Sequence, residues 1–157
     1  MKELTVEAKI DNIGIVTDFL DEALDAINCP MKAHMQIAVA LDELFTNIAH
    51  YSYAPSTGNA TIRVEPDKDN TSVTITLIDS GIPFNPLSRK EPDTTLPAEA
   101  REIGGLGIFL VRKTMDDLSY EYINNQNVVR IKKVLHPKKW RRKALISFDQ
   151  IRYSDHQ

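Results

Sequence analysis

Apolar and polar residues alternate at the beginning of the chain, with apolar side chains at Leu4, Val6, Ala8 and Ile10. A period of two residues predicts a strand with one buried face. The period then changes, because apolar residues recur every three or four positions over residues 13–27. This spacing predicts an amphipathic helix, which we expect Asp11 or Asn12 to cap and Pro30 to follow.

A second helical pattern runs from about residue 32 to residue 51, and its main core stripe is expected to be Met35, Ala38, Leu41, Phe45 and Ile48. Within it, residues 37–53 (IAVALDELFTNIAHYSY) place Glu43 and Asn47 four positions apart. One helical turn separates them, so both side chains leave the same face. Polar groups on a largely apolar helix are costly unless they meet water, a metal or a ligand.

The second half of the chain returns to strand patterns. Residues 61–65 and 72–79 read as strands, and residues 83–103, with four prolines, read mostly as a loop. A helix is expected from Gly105 to about Met115, followed by a hairpin of residues 118–123 and 128–134 joined by NNQN. This order predicts an α/β (α+β) two-layer sandwich, with helices on one face of a mostly antiparallel mixed sheet.

Charge is unevenly distributed over the 157 residues, whose formal net charge is −3. Residues 136–157 hold six basic and two acidic residues, whereas residues 1–135 hold 13 basic and 20 acidic ones. We therefore expect one domain over residues 1–135 and a basic C-terminal tail. An acidic body disfavours nucleic acid as a partner, and no run approaches the ~18 apolar residues of a membrane span. The single cysteine, Cys29, excludes an internal disulfide, and the chain is expected to be cytoplasmic.

Three places along the chain could carry chemistry. Asn47 offers an oxygen of the kind that Mg²⁺ prefers, and Glu43 could orient or deprotonate an attacking hydroxyl. Both could equally be solvated polar residues on the outer face of their helix.

The second place is Asp79-Ser80-Gly81, at the end of a predicted strand. A carboxylate there could accept a hydrogen bond from an exocyclic amine such as adenine N6, and Gly81 would let the base approach the backbone. A simple turn after the strand, enforced by Pro83, is the alternative.

The third place is Gly104-Gly105-Leu106-Gly107, at a loop-to-helix junction. Exposed N–H groups at a helix N-terminus bind phosphate. The segment lacks both the P-loop and the dinucleotide-binding spacing, so by itself it could also be an ordinary glycine-rich connection.

Taken together and in this order, the three places resemble the N, G1 and G2 boxes of the GHKL ATP-binding superfamily, and most closely its anti-sigma factor serine kinases. The resemblance covers roughly residues 1–135 and implies a Bergerat-type ATP-binding fold. It rests on an acidic residue followed four positions later by Asn and then by HYSY, on a G1 segment with Pro-Phe, and on a G2 segment: Glu43, Asn47, Asp79, Gly81, Pro83, Phe84, Gly105, Leu106 and Gly107.

The resemblance implies ATP and Mg²⁺ as ligands. It implies that Asn47 binds Mg²⁺, that Glu43 is the general base, and that Asp79 reads adenine beside Gly81 and Pro83. It further implies phosphate contacts from Gly104, Gly105, Leu106 and Gly107, and an ATP lid over residues 87–103.

Two positions depart from the pattern of the family. Ile103 stands where an arginine is expected before the G2 box, so that Arg101 is the nearest cation for the γ-phosphate. Pro83 replaces the second glycine of the G1 box. Adenine recognition is therefore expected to be locally altered, and phosphoryl transfer is a separate question from ATP binding.

The function implied is that of an ATP-dependent serine/threonine protein kinase. Its substrate would be a small anti-anti-sigma-like protein of the STAS type, its other partner a sigma factor, and its assembly a homodimer. The alternative is a nucleotide-gated protein-binding module without phosphoryl transfer, which Ile103 favours. The catalytic half of a two-component histidine kinase is disfavoured, because no phospho-acceptor helix pair is found in the sequence.

Overall fold

A computed structural model of the protein describes residues 1–88 and 105–136. This part of the chain contains three α-helices and five strands. The helices are α1 (Ile13–Asp25), α2 (Met31–Asn47) and α3 (Gly105–Thr114). The strands are β1 (Lys2–Glu7), β2 (Asn59–Pro66), β3 (Ser72–Asp79), β4 (Asp117–Ile123) and β5 (Gln126–Val134). A π-helical turn, Ile48–Ser52, continues α2, and short 3₁₀ turns cover Ile10–Asn12 and Pro86–Ser88.

The strands form one sheet in the order β1-β2-β3-β5-β4, and every pairing in it is antiparallel. β3 is central, because it pairs with β2 on one side and with β5 on the other. Asp79, the last residue of β3, is registered opposite Ala60 and Asn127. The antiparallel pairing therefore places the first residues of β5 beside the last residues of β3.

The two faces of the sheet differ in character. One face packs against the helices, and alternate strand residues such as Ile62, Leu77 and Val129 join the core there. The other face is polar, with an ion pair between Arg63 and Glu3 at 2.6 Å and one between Arg130 and Glu121 at 2.9 Å. This division confirms the predicted two-layer α/β sandwich. No helix within residues 1–88 and 105–136 is long and apolar enough to cross a membrane.

The predicted core stripe of α2 is confirmed at Leu41, Phe45 and Ile48, which are buried, and at Ala38, which packs against the core, but it is wrong at Met35. Met35 was expected in the core, but it is 62% exposed, and Val39 lies outside with it. The buried residues are Ala33, Ile37, Ala40, Leu41, Leu44, Phe45 and Asn47. Apolar residues occur on more than one side of this helix, so the period alone does not identify the face that meets the sheet.

The beginning of the chain also departs from its prediction. β1 ends at Glu7, and Ile10 lies in the following 3₁₀ turn. Asn12 makes no capping hydrogen bond to α1. Its Nδ2 donates instead to the carbonyl of Glu7 at 2.8 Å, which ties the end of the strand to the start of the helix.

Two tight turns are built by residues suited to them. Asn124 and Asn125 join β4 to β5, and their φ angles of 54° and 59° are those of a type I′ hairpin turn. Asp67 organises the turn between β2 and β3, where its Oδ1 accepts the Thr71 N–H at 2.6 Å and the Ser72 N–H at 3.2 Å. The Thr71 hydroxyl donates to Oδ2 of the same carboxylate.

The hydrogen bonds from Thr71 lower the pKa of Asp67 from 3.8 to about 2. A carboxyl group whose pKa is lower in the folded state stabilises the fold above its unfolded-state pKa, and this contribution disappears as the pH falls through the folded-state value. We expect Asp67→Asn to reduce the free energy of unfolding by less than about 1 kcal/mol, because the group is exposed. Urea unfolding should show a constant deficit at pH 5–8 that shrinks between about pH 4 and pH 2. A deficit that grows in acid would contradict this account.

Candidate functional site

Glu43 and Asn47 lie in the last turns of α2, on the side of the helix that approaches α3 and the end of β3. The helix widens into the π-helical turn Ile48–Ser52 directly after Asn47. Short π-helical segments are frequent at functional sites. This segment carries Tyr51 and Ser52 to the turn after β3.

Asn47 is a buried amide whose nitrogen lacks a hydrogen-bond partner within the described residues. Its side chain is 5% exposed, and its Nδ2 has no hydrogen-bond partner there. A buried polar atom left in this way costs about 1–3 kcal/mol. An Asn amide can also turn so that the oxygen replaces the nitrogen, which would present a metal ligand at the same point. Asn47 therefore suits a ligand that supplies either an acceptor or a cation.

Glu43 reaches the beginning of α3. A Cβ atom placed on Gly107 would lie 2.2 Å from both Cδ and Oε2 of Glu43. The carboxylate thus rests against backbone that only glycine leaves open, and Oε1 is buried as well. Because Gly107 is in the first turn of α3, the positive end of the helix dipole favours the charge of Glu43.

Asp79 ends β3 and is 4% exposed. Its Oδ1 accepts the Gly81 N–H at 3.0 Å and Nδ2 of Asn127 at 2.9 Å. These two donors hold the carboxylate in one orientation. The turn predicted after the strand is therefore present, and the Asp79 carboxylate is part of its hydrogen-bond arrangement.

Asn127 lies in the site but was not predicted from the sequence. It is 2% exposed, and its Nδ2 donates to Asp79 and to the Ile82 carbonyl at 2.8 Å. Its Oδ1 accepts the Phe84 N–H at 3.0 Å and the Tyr120 hydroxyl at 2.6 Å. Burial raises the pKa of Tyr120, which keeps its hydroxyl protonated as a donor. The one available signal was an Asn at the beginning of a strand, opposite the end of β3.

The turn after β3 is fixed to the end of α2 through Ser52. The Ser52 carbonyl accepts the Ile82 N–H at 2.9 Å, and a Cβ atom on Gly81 would lie 2.1 Å from that carbonyl oxygen. Tyr53 adds a second tie, because its hydroxyl accepts the Ser80 N–H at 2.7 Å and donates to the Asn59 carbonyl at 2.6 Å. Gly81 thus has a packing role that precedes any contact with a ligand.

These residues surround a small cleft. Tyr51 and Phe84 stack at its entrance, with ring centroids 5.3 Å apart and planes inclined by 30°. The cleft is lined by Leu44, Asn47, Ile48, Ser52, Leu77, Asp79, Phe84, Pro86, Asn127 and Val129. It therefore combines apolar walls with four buried polar residues, Asn47, Ser52, Asp79 and Asn127, and such a mixture is usual in small-molecule sites.

The structure brings residues from all three sequence-predicted places close to the cleft. Asn47 and Asp79 line one cleft, and Glu43 contacts Gly107 beside it. Pro83 is exposed, whereas Pro86, which the sequence did not single out, lines the cleft. Gly105 and Leu106 begin α3. Gly104, Arg101, Ile103, most of the expected lid and the tail after residue 136 lie outside the described residues.

A helical layer thus packs on an antiparallel sheet, and polar groups gather where α2, β3 and α3 meet. Residues 6–133 match the model of the histidine kinase-like ATPase domain. The chain belongs to this family.

Similar proteins include serine-protein kinases named RsbW. The one from Bacillus mycoides is 23% identical over 134 residues, which is 83% of this chain and 82% of the relative. The one from Listeria monocytogenes is 30% identical over 106 residues, which is 64% of this chain and 66% of the relative.

Two solved structures share the fold. The RsbU and RsbW domains of Rv1364c from Mycobacterium tuberculosis match 87% of this chain at a TM-score of 0.57 and 15% identity. This chain spans about a third of that longer one, 34%. A blue-light activated histidine kinase domain from Erythrobacter litoralis matches 76% of this chain and 60% of its own, at a TM-score of 0.50 and 15% identity. These two structures confirm the predicted α+β fold, and the family model over residues 6–133 confirms the predicted family.

The contact between Gly81 and Ser52 allows a test by substitution. Gly81→Ala would place a methyl group 2.1 Å from a main-chain oxygen, so backbone must move, and we expect a loss of about 1–3 kcal/mol in the free energy of unfolding. The matched control is Gly14→Ala in α1, where the added methyl group has nothing within 4 Å. There we expect unchanged or slightly higher stability. Equal effects in urea unfolding would contradict the packing role.

Proposed function

We propose that this protein is a Mg²⁺-dependent, ATP-using serine/threonine protein kinase of the anti-sigma type. Its substrate would be a small anti-anti-sigma-like partner of the STAS type. The observation that carries the proposal is that three features lie together. The Glu43 carboxylate contacts Gly107, the Asn47 side-chain nitrogen is buried without a partner among the described residues, and Asp79 lines the cleft beside them.

Different residues of the site are suited to different parts of the nucleotide. Asp79 is suited to accept a hydrogen bond from an adenine amino group, and Leu77 and Val129 provide apolar contact for the base. The glycine backbone at the beginning of α3 is suited to phosphate, because N–H groups at a helix N-terminus are free to donate.

A divalent cation fits this donor set. Glu43 and a triphosphate would both lie near the beginning of α3, and their negative charges would repel each other. Asn47, one turn from Glu43, is suited to hold Mg²⁺ together with phosphate oxygens, and the bound ion would offset that repulsion. Glu43 remains within the same region to accept the proton of an attacking serine or threonine hydroxyl.

Partner and assembly belong to the same proposal. We infer a homodimer in the cytoplasm that binds either a sigma factor or the anti-anti-sigma-like protein, without direct contact to nucleic acid or membrane. The support is the family and the naming of its relatives as serine-protein kinases. Arg101 would supply the cation for the γ-phosphate, because Ile103 stands where an arginine is expected.

Ile103 also favours a second candidate function. In that case the protein binds ATP and a partner, and the nucleotide controls which partner is held, but no phosphate is transferred. Loss of a cation at a transferring phosphoryl group costs about three orders of magnitude in rate or more. The two functions share a nucleotide site and differ in the step after binding.

Asn47→Ala tests the metal assignment. We expect Mg²⁺ to increase the affinity of the unmodified protein for ATP, and Asn47→Ala to lose about tenfold or more of this gain, because a ligand to the ion is gone. Isothermal titration calorimetry with and without Mg²⁺ measures the difference. Affinity that responds to Mg²⁺ equally in both proteins would remove Asn47 from the metal site.

Glu43→Ala separates transfer from binding. We expect phosphate transfer from radiolabelled ATP to a co-encoded anti-anti-sigma-like protein to fall by about 10²–10⁴, as for loss of a general base. The affinity for ATP should change by less than about threefold, because Glu43 is negatively charged and its removal takes away no attraction to the phosphates.

The control for this test is Asp42→Ala, which removes an exposed carboxylate one position earlier on α2. It should leave transfer unchanged. Transfer that survives in Glu43→Ala would overturn the assignment of the base. Tight ATP binding without transfer to any co-encoded partner would favour the nucleotide-gated binding function.

A further inference from the structure

Asn127 uses every hydrogen-bonding position of its side-chain amide. Nδ2 donates to Asp79 Oδ1 and to the Ile82 carbonyl, and Oδ1 accepts the Phe84 N–H and the Tyr120 hydroxyl. The Ile82 carbonyl can only accept and the Phe84 N–H can only donate, so the orientation of the amide is determined by its partners. At 2% exposure, a reversed amide would place its oxygen against the Asp79 carboxylate and the Ile82 carbonyl and its nitrogen against the Phe84 N–H, and none of these contacts would be a hydrogen bond.

The partners of Asn127 come from three parts of the site. Asp79 is the end of β3, Ile82 and Phe84 flank Pro83 in the following turn, and Tyr120 lies on β4. Phe84 in turn stacks on Tyr51 at the entrance of the cleft. One side chain therefore joins the carboxylate to the main chain and the ring beside it, so that they cannot reorient independently.

We propose that Asn127 is the positioning residue that sets the purine selectivity of this site. This inference rests on the proposed nucleotide function and goes beyond it. Both hydrogen bonds to Asp79, from Gly81 and from Asn127, end on Oδ1, which leaves Oδ2 with acceptor capacity for a ligand. An adenine amino group satisfies a fixed acceptor, whereas guanine presents its O6 oxygen at the corresponding position. A fixed acceptor therefore rejects guanine.

The selectivity depends on the donors of Asn127 and not on its bulk. If the amide did not hold Oδ1, the carboxylate could turn away from the base, or it could take up a proton and then donate to the O6 oxygen of guanine. A residue with only a structural role would affect stability when replaced, but the folded fraction would keep the same preference for ATP over GTP. The ratio of the two affinities therefore separates positioning from structural support.

Asn127→Asp is the decisive substitution, because it preserves shape and volume and converts the two donors into acceptors. The new carboxylate would lie where Nδ2 now contacts Asp79 at 2.9 Å, and the two charges would repel. We expect the affinity for ATP to fall by about tenfold or more and the ATP-to-GTP affinity ratio to fall by a similar factor. Competition of each nucleotide against a fluorescent ATP analogue on the full chain measures both.

The matched control is Asn28→Asp, the same substitution at an exposed position after α1, which should leave both affinities unchanged. Asn127→Ser is a second variant in case the first does not fold. Its single hydroxyl cannot reach Asp79 and Ile82 together, so a smaller loss of selectivity is expected. Circular dichroism establishes that each variant is folded.

The outcomes distinguish this inference from the proposed function. An ATP-to-GTP ratio that stays at the unmodified value in a folded Asn127→Asp or Asn127→Ser protein would overturn the positioning role alone. If the unmodified protein binds neither nucleotide, the nucleotide function itself fails. Loss of the preference for ATP in a folded variant, with Asn28→Asp unaffected, supports the inference.

Discussion

Where the π-helical turn after α2 meets the turn after β3, the Ser52 carbonyl accepts the Ile82 N–H at 2.9 Å, and Gly81 leaves the space for this approach. The helix carries Glu43 and Asn47, and the strand carries Asp79, so the distance between the two halves of the site is set at this contact. Over most of their length, the helices and the sheet are joined by apolar packing. At this point the connection is directional, because a backbone hydrogen bond and a missing side chain fix it.

The site combines well-satisfied and unsatisfied polar groups, and the two kinds lie in different places. Around Asp79, the buried Asn127 has all of its hydrogen bonds, and Tyr53 links two further backbone segments. At the end of α2, Asn47 retains a buried nitrogen without a partner among the described residues. A satisfied network is rigid, whereas an unsatisfied atom gains free energy when a ligand arrives. The Asp79 end of the cleft is therefore preorganised, and the Asn47 end has the most to gain from a ligand.

Much of the fold could be predicted from the sequence because period and punctuation agree. β3 was predicted with its observed limits, and the Asn residues of the β4–β5 turn indicated the hairpin. The prediction that Met35 is buried was wrong, because α2 is apolar on more than one side. Asn47 and Asp79 followed from motif spacing, whereas Asn127 could not be predicted. Its importance comes from strand register, which places it opposite Asp79, 48 positions earlier in the chain, and no local pattern encodes that pairing.

The position of β5 in the sheet has a consequence for synthesis of the chain. β5 is the last of the described strands to be made, yet it lies beside the central strand β3 and separates it from β4. Until β5 is added, Asp79 lacks its cross-strand neighbour, and β3 has an open edge that can pair with other chains. Contacts over such long sequence separations form late in folding. The cleft is therefore completed only after the ribosome has delivered nearly the whole domain, and any ligand that binds it would stabilise finished molecules and not nascent ones.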